Sequence, residues 1–456
     1  MVDPNIFSAY DLRGVVPQQW DENDAYNLGR AFGTFFKKRG VNDCYLGRDN
    51  RLTSPLIAKK ISQGLRESGV EVINLGIIIT PMIYFSWHHF KAPATIMVTA
   101  SHNPPEYNGL KASLNQKPIF EKDLEEVKKI FLEKKFSSGQ ASEKKREIAP
   151  AYINYLQENI KITKNFKVAI DTGNGAAGLF TEKIFKNEGC QVTSLFAESD
   201  GSFPNHQPYP QKTEFYTALI GELKKGGDDL GLAFDGDGDR LGVYDSSGQF
   251  IENDLLAGIF ARDICEKNPG AKIVLNVSTT MVVLEAIEKA GGQPLLWKTG
   301  YPNISQKMKE AGALFGGEIS GHFFFADRYF GFDDAVYATL RLLELIEEKG
   351  SLEKLKEGFS HYYQIPEFRL SLPAGKNKYE LIEKIGQSIE KNYPQAEILT
   401  IDGVRFSFPN GWGLIRASNT EPLLSGRAEG KTPQELEKIR AIINEELARV
   451  GVGGRI

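Results

Sequence analysis

The sequence predicts an α/β protein with an α+β tail. Two observations carry this: a strand–loop–helix–strand pattern written three times between residues 44 and 294, and a change of pattern after residue 366. In the first copy an apolar strand at 44–49 leads to a helix with 3.6-residue apolar spacing at 56–67, then through Ser-Gly-Val-Glu-Val at 68–72 into a second strand. The second copy uses 167–172, 179–187 and 188–192, and the third uses 272–277, 282–289 and 290–294, each with a glycine where the helix ends. Such βαβ units build mostly parallel sheets covered by helices, and ligands gather beyond the carboxyl ends of the strands.

The tail reads differently: strands at 368–372, 397–401, 404–408 and 413–416, with helices at 379–392 and 433–450. Pattern breaks near 134–148, near 253 and at Ile365-Pro366 divide the chain into domains at 1–146, 147–252, 253–365 and 366–456.

Composition excludes several classes of function. Lys and Arg number 55 against 59 Asp and Glu, with no block of like charge, so no electrostatic footprint for nucleic acid is present. The longest apolar run, residues 72–87, is interrupted by Asn74, Gly76, Thr80 and Pro81, so neither a membrane span nor a signal peptide is expected. Three scattered cysteines, Cys44, Cys190 and Cys265, suit reduced thiols and a cytoplasmic location better than a disulfide framework.

Five loops offer chemistry. Thr99-Ala-Ser-His-Asn-Pro104 follows an apolar strand at 94–98 and presents Ser101 on a turn, either as a nucleophile or as the cap of a plain Asn-Pro turn. A Ser-His-Asp hydrolase is disfavoured because no G-x-S-x-G elbow surrounds Ser101. Asp235-Gly-Asp-Gly-Asp-Arg240 crowds three carboxylates onto a glycine-bent turn, and oxygen-only ligands in an incomplete shell suit Mg²⁺. Gly173-Asn-Gly-Ala-Ala-Gly178, with Glu198 about twenty residues on, matches the dinucleotide fingerprint and supports a rival reading, an NAD-dependent oxidoreductase. Tight turns and close packing account for the same glycines. Arg416-Ala-Ser-Asn-Thr-Glu-Pro422, with Arg427 beyond it, suits either a phosphate dianion or a capped surface turn. Glu318 and Ser320 alternate in Gly316-Gly-Glu-Ile-Ser-Gly-His322 and suit sugar hydroxyls.

Taken together and in this order, Tyr10-Asp-Leu-Arg-Gly14, Thr99-Ala-Ser-His-Asn-Pro104, Asp235-Gly-Asp-Gly-Asp-Arg240, Gly317-Glu-Ile-Ser-Gly-His322 and Arg416-Ala-Ser-Asn-Thr420 resemble the α-D-phosphohexomutase family over essentially the whole chain. Phe203-Pro-Asn-His206, Trp297-Lys-Thr-Gly300 and Gly331-Phe-Asp-Asp334 look most like the bacterial phosphomannomutase/phosphoglucomutase branch. The resemblance implies three mixed-sheet α/β domains and a fourth resembling the TATA-binding-protein fold, around a central cleft. It also implies interconversion of hexose 1-phosphate and hexose 6-phosphate, of mannose, glucose or both, with phosphoglucosamine mutase and a non-catalytic sugar-phosphate binder as alternatives.

By the same resemblance Ser101 carries a phosphoryl group and completes a Mg²⁺ site with Asp235, Asp237 and Asp239, and glucose 1,6-bisphosphate or its mannose counterpart is activator and intermediate. His102 lies beside the carrier. Arg13 and Arg240 suit charge stabilisation, and Lys111 and His322 suit acid–base work. Tyr10, Tyr301, Glu318 and Ser320 face the sugar, while Arg416, Ser418, Asn419, Thr420 and Arg427 hold the phosphate that is not reacting. Dual-specificity members usually carry His where this chain has Tyr301 and Lys where it has Ser278. The expected partners are small sugar phosphates, and a monomer suffices.

Overall fold

Each of the three repeats pairs its two strands in parallel. The computed structural model describes residues 3–8, 10–372, 375–418, 423–454 and 456. The chain divides into two units, Met1–Asn253 with Ser320–Leu355, and Asp254–Ile319 with Lys356–Ile456.

In the first unit, β1 (Leu12–Val15), β2 (Asp43–Arg48), β3 (Glu71–Ile77), β4 (Ala94–Val98), β5 (Tyr107–Leu114), β6 (Lys117–Pro118) and β7 (Glu143–Lys145) form one sheet. Its order is β1-β5-β4-β2-β3-β7, with β6 on β5. Every residue of β4 is buried, as a strand covered on both faces requires, and the serine loop springs from its carboxyl end. The helix Glu22–Lys38 starts at a capping box between Asp21 and Asp24 and turns Leu28, Phe32, Phe35 and Phe36 into the core.

A second sheet in the same unit contains β8 (Lys167–Asp171), β9 (Gln191–Leu195), β10 (Leu230–Phe234), β11 (Leu241–Asp245) and β12 (Phe250–Ile251), in the order β12-β11-β10-β8-β9. The fully buried β10 and β11 are antiparallel, and the Asp235–Arg240 loop joins them.

The second unit carries the parallel strands β13 (Lys272–Asn276), β14 (Gln293–Trp297) and β15 (Phe315–Gly317). β16 (Phe323–Phe325) and the helix Ala335–Lys349 belong to the first unit. The remaining strands, β17 (Tyr363–Ser371), β18 (Glu397–Leu399), β19 (Val404–Phe408), β20 (Gly411–Ala417) and β21 (Leu423–Gly430), form an antiparallel sheet in the order β17-β21-β20-β19-β18. The helices Lys378–Asn392 and Pro433–Arg449 supply Ile385, Ile389, Ile439, Ile443 and Leu447 to its core.

The sheets of the first unit are mixed, as expected, because β5 and β11 run antiparallel to their neighbours. The structure corrects the expected organisation in two places. The second repeat opens with a 3₁₀ turn, Ala176–Leu179, ahead of its helix Thr181–Asn187. The tail contains a strand, β21, that alternation of hydrophobic residues does not announce: Ser425, Arg427 and Glu429 are buried along with Leu424 and Ala428. The three cysteines are free and buried. No helix among the described residues is long and apolar enough to cross a membrane.

Candidate active site

Strand ends of the first unit converge on Ser101. The serine is buried and has φ 51, a left-handed conformation unusual for a residue with a Cβ. Its Oγ donates to Asp235 Oδ2 at 2.6 Å and lies 3.1 Å from His102 Nδ1. Asp235 Oδ1 accepts the amides of Asp239 and Arg240, both at 3.1 Å, which closes the acidic turn on itself.

Lys111 stands opposite Met97 on β5 and reaches both other aspartates, Asp237 Oδ2 at 2.8 Å and Asp239 Oδ2. Thr80, first residue of the helix Thr80–His89, donates its hydroxyl to Asp237 Oδ2 at 2.6 Å and its amide to the Asp237 carbonyl at 2.8 Å.

All three aspartates are fully buried, and their titration reflects it. Burial, then repulsion from Asp239 and Asp237, pushes the Asp235 carboxyl well above the usual range. Asp239 is raised by burial and by Asp237. Burial also acts on Asp237, but Lys111 and Thr80 outweigh it and hold that carboxyl below its usual value. Burial, with Arg240 and Arg13 behind it, holds His102 well below its ordinary pKa, so its ring is neutral near pH 7.

The donor set fits a hard divalent cation. One ligand atom from each aspartate lies within 4.8 Å of the others. Asp237 Oδ1 and Asp239 Oδ1 are buried without a hydrogen-bond partner, which leaves both oxygens available to a cation.

Arg13, on β1, pairs with Asp11 at 2.7 Å and donates to Asn103 Oδ1 of the serine loop at 2.6 Å. Tyr10 is half-buried and lies within electrostatic reach of the Arg13 guanidinium. Arg240 Nε donates to His322 Nε2 at 3.1 Å, so Nε2 acts as the acceptor and Nδ1 is the ring nitrogen that carries hydrogen. That nitrogen lies 2.8 Å from Asp333 Oδ2. Ser320 is half-buried, and its carbonyl accepts from Gln211 Nε2 at 2.5 Å.

A second group of expected site residues meets in the second unit. Glu318 Oε1 accepts the Gly300 amide at 2.6 Å, fixing the turn from which Tyr301 begins the helix Tyr301–Ala311. Arg416, on β20, donates to Thr299 Oγ1 of that turn at 3.0 Å, and Asp402 accepts the Thr299 amide at 3.0 Å. Ser418 accepts Lys378 Nζ at its carbonyl. Asn419 and Thr420 lie outside the described residues.

Arg427 sits on a strand, not in a loop, and its guanidinium is held inside the unit: by Asp254 at 2.6 Å, Glu429 at 3.0 Å and Gln364 at 2.7 Å. Ser278 belongs to the same neighbourhood, its carbonyl accepting Arg427 Nη1 at 3.2 Å.

The glycine-rich loop at 173–178 is not a dinucleotide cradle. Its amides already have protein acceptors: Gly173 donates to Asp171 Oδ1, Asn174 to the Phe196 carbonyl, Gly175 to Thr172, Ala176 to Gly236 and Gly178 to Gly175. A Cβ on Gly175 would lie 2.8 Å from Gly236 Cα, and one on Gly236 would lie 2.6 Å from the Ser101 carbonyl. The glycines let this loop, the acidic turn and the serine loop stack backbone on backbone, which leaves these amides unable to serve a pyrophosphate.

Several contributors escaped sequence reasoning. Asp49 and Arg51, just past β2, brace the serine loop from beneath. Thr80 had no motif around it. His206 Nε2 lies 3.0 Å from Asp171 Oδ1, and its neighbour Gln207 donates to the His102 carbonyl. The available signal for Asp49 and Arg51 was their position after the first repeat's opening strand, where ligand-facing loops are expected.

Comparison with known proteins agrees along the whole chain. Family models for phosphoglucomutase/phosphomannomutase match in sequence order: alpha/beta/alpha domain I at residues 4–138, domain II at 150–248, domain III at 252–363 and the C-terminal domain at 369–446. A phosphoglucomutase of Neisseria gonorrhoeae is 40% identical over 438 residues, 96% of this chain and 95% of its own. A phosphomannomutase/phosphoglucomutase of Pseudomonas aeruginosa is 39% identical over 447 residues, 98% and 96%. A crystal structure of a phosphoglucomutase/phosphomannomutase family protein from Burkholderia thailandensis superposes with a TM-score of 0.94 at 36% identity, covering all of both chains.

Proposed function

The chain belongs to the phosphoglucomutase/phosphomannomutase family, and from that premise we propose that Ser101 is the phosphoryl carrier of its mutase reaction. It is a phosphohexomutase working through a phosphoserine and a hexose bisphosphate. The observation that carries the assignment of Ser101 is the 2.6 Å bond from its Oγ to Asp235, which puts the hydroxyl against the cation-binding carboxylates.

Asp235, Asp237 and Asp239 would hold Mg²⁺, and the ion would supply positive charge to the transferring phosphoryl group. The chain's own residues do the rest. In the first half-reaction the bond between phosphorus and Ser101 Oγ breaks as one forms to the free hydroxyl of a hexose monophosphate, whose proton passes to a base. Lys111 and His322 are the groups we assign to that proton, because each is buried and lies beside the acidic turn. Arg13 and Arg240 remain cationic and stabilise charge on the phosphoryl oxygens. Neutral His102 leaves the serine loop without an added charge.

The bisphosphate then turns end for end, and its other phosphate returns to Ser101. In our reading Tyr10, Tyr301, Glu318 and Ser320 contact the sugar. Arg416, Ser418, Asn419 and Thr420 hold the distal phosphate, while Arg427, on β21 beside Arg416's strand, is anchored by Asp254 and Glu429. Glucose and mannose phosphates are the proposed substrates, with glucose or mannose 1,6-bisphosphate as activator. The proposal extends to domains at 1–146, 147–252, 253–365 and 366–456. The antiparallel five-stranded sheet under two helices supports a TATA-binding-protein-like last domain. Free, buried cysteines support a cytoplasmic protein that needs no disulfide, and we propose that it acts as a monomer.

The test is peptide mass spectrometry of enzyme incubated with glucose 1,6-bisphosphate. Phosphate is expected on Ser101 alone, and a fully active Ser101→Ala variant would overturn the reading.

A further inference from the structure

Ser101 occupies a left-handed conformation that is unfavourable for a residue with a Cβ, so something around it must hold the loop there. The hydrogen bonds identify what does. The Arg51 guanidinium is fully buried, and its four terminal hydrogen bonds go to main-chain carbonyls instead of the aspartates of the acidic turn. Its Nη2 donates to the carbonyls of Ser101 at 2.8 Å and Asn103 at 2.6 Å. Its Nη1 donates to the carbonyls of Pro104 at 2.6 Å and Tyr107 at 3.0 Å. One planar, rigid group therefore sets the orientation of four peptide planes in the loop that presents the nucleophile.

The guanidinium is itself anchored. Asp49 Oδ2 lies 3.2 Å from Arg51 Nε, and Asp49 Oδ1 accepts the Arg51 amide at 3.0 Å and the Ser54 hydroxyl at 2.5 Å. Asn108 on β5 donates to Ser54 Oγ at 2.9 Å, and the Phe203 ring lies 5.0 Å from the guanidinium carbon. Burying an arginine against carbonyls with a single carboxylate is expensive, and a lysine, with three donors on a point charge, cannot reproduce four divergent bonds.

We propose that Arg51 is a positioning residue for phosphoryl transfer, holding Ser101 Oγ on the line to Asp235 by binding the carbonyls of the serine and of the residues that follow it. This rests on Ser101 being the carrier. Our reading assigns the sugar to other residues, so the effect belongs to the chemical step and not to substrate affinity. A misplacement of about 1 Å at a reacting atom costs on the order of a hundredfold in rate.

The experiment compares wild type, Arg51→Lys and Arg51→Ala well below their melting temperatures. Readouts are kcat and KM for glucose 1-phosphate, and the single-turnover rate at which phosphoenzyme loses its phosphate to that substrate. For Arg51→Lys we expect a fall of about a hundredfold in kcat and in the single-turnover rate, with KM within about threefold of wild type. Guanidinium ion at non-denaturing millimolar concentration is expected to restore part of the Arg51→Ala rate and leave wild type unchanged, which a purely structural role would not produce. If Arg51→Ala does not fold, the lysine variant decides the matter. A folded Arg51→Lys enzyme with wild-type kcat, or one whose whole defect lies in KM, overturns the proposal while leaving Ser101 as carrier. A wild-type enzyme not phosphorylated on Ser101 overturns both.

Discussion

Asp235 Oδ2 accepts the hydroxyl hydrogen of Ser101 at 2.6 Å, although 134 positions separate the two residues in the chain. The bond exists only while the serine is unmodified. In the proposed reaction a phosphoryl group on Oγ would remove the donor and set a dianion beside three buried carboxylates, and a bound cation would offset that charge.

One expected outcome follows for Asp235 itself. Its raised carboxyl reflects burial and repulsion, so Asp235→Asn should relieve strain in the metal-free protein while destroying turnover. The amide oxygen can still accept from Asp239 and Arg240, and the Ser101 hydroxyl can turn to accept from the amide nitrogen. Thermal unfolding in EDTA should show the variant more stable by about 1 kcal/mol, with mutase activity reduced at least about a hundredfold. A variant less stable than wild type in EDTA would show that the carboxylates do not strain the metal-free fold.

Metal addition should stabilise the wild type for the same reason. Free Mg²⁺ at about a hundred times its dissociation constant is expected to add about 2.7 kcal/mol, seen as a rise in melting temperature that Asp237→Asn lacks. EDTA should stop turnover and Mg²⁺ restore it. Activity that survives excess chelator with no metal left in the protein would remove the cation from the mechanism.

His206 gives a pH-dependent outcome outside the metal site. Burial disfavours its charged form, but the Asp171 carboxylate outweighs burial and raises its pKa. A raised pKa means that the folded state binds the proton more tightly than the unfolded chain. The contribution is therefore complete below the unfolded value, about 6.5, and is lost as pH rises through the folded value. Urea unfolding should find His206→Asn less stable than wild type by about 1–2 kcal/mol at pH 6, with the gap narrowing toward pH 9. A gap constant across that range would mean that packing, not charge, is what His206 provides.

For substrate choice, glucose 1-phosphate and mannose 1-phosphate should have kcat/KM values within about tenfold of each other, provided Glu318 and Ser320 read hydroxyls other than the 2-position, since neither epimer then leaves a buried polar group unpaired. Glucosamine 1-phosphate brings a cationic amine toward Arg13 and Arg240 and should be weaker by about tenfold or more. The Tyr301 ring, buried at the head of its helix, is the group able to crowd one epimer. A clear preference for the amino sugar would make the enzyme a phosphoglucosamine mutase.

What the sequence made legible is what repeats or crowds. The three βαβ units, the acidic turn and the serine loop announce themselves because strand periodicity recurs at matching positions and because three alternating aspartates repel one another unless a cation or a lysine offsets them. β21 did not, because its buried face carries Ser425, Arg427 and Glu429, the charged pair held by Asp254 and Thr280 from distant segments and by Trp412 across the hairpin. Polar burial satisfied by remote partners has no local signature. Arg51 was hidden for the same reason: its acceptors are carbonyls, and carbonyls belong to every residue. The glycine motif misled in the opposite direction, since a backbone that approaches a phosphate and one that approaches another backbone demand the same residue.

That backbone-on-backbone stack through Gly175, Gly236 and Ser101 has a consequence for how this enzyme can be altered. Where loops meet through side chains, a substitution can shift one loop and leave the next in place, because rotamers absorb the change. Here nothing lies between the layers to absorb it. The nucleophile, the acidic turn and the loop behind them can move only as a block, so libraries aimed at retuning the reaction will find tolerated diversity at the sugar-facing loops. Members carrying a side chain at position 175 or 236 will drop out as inactive whatever else they contain.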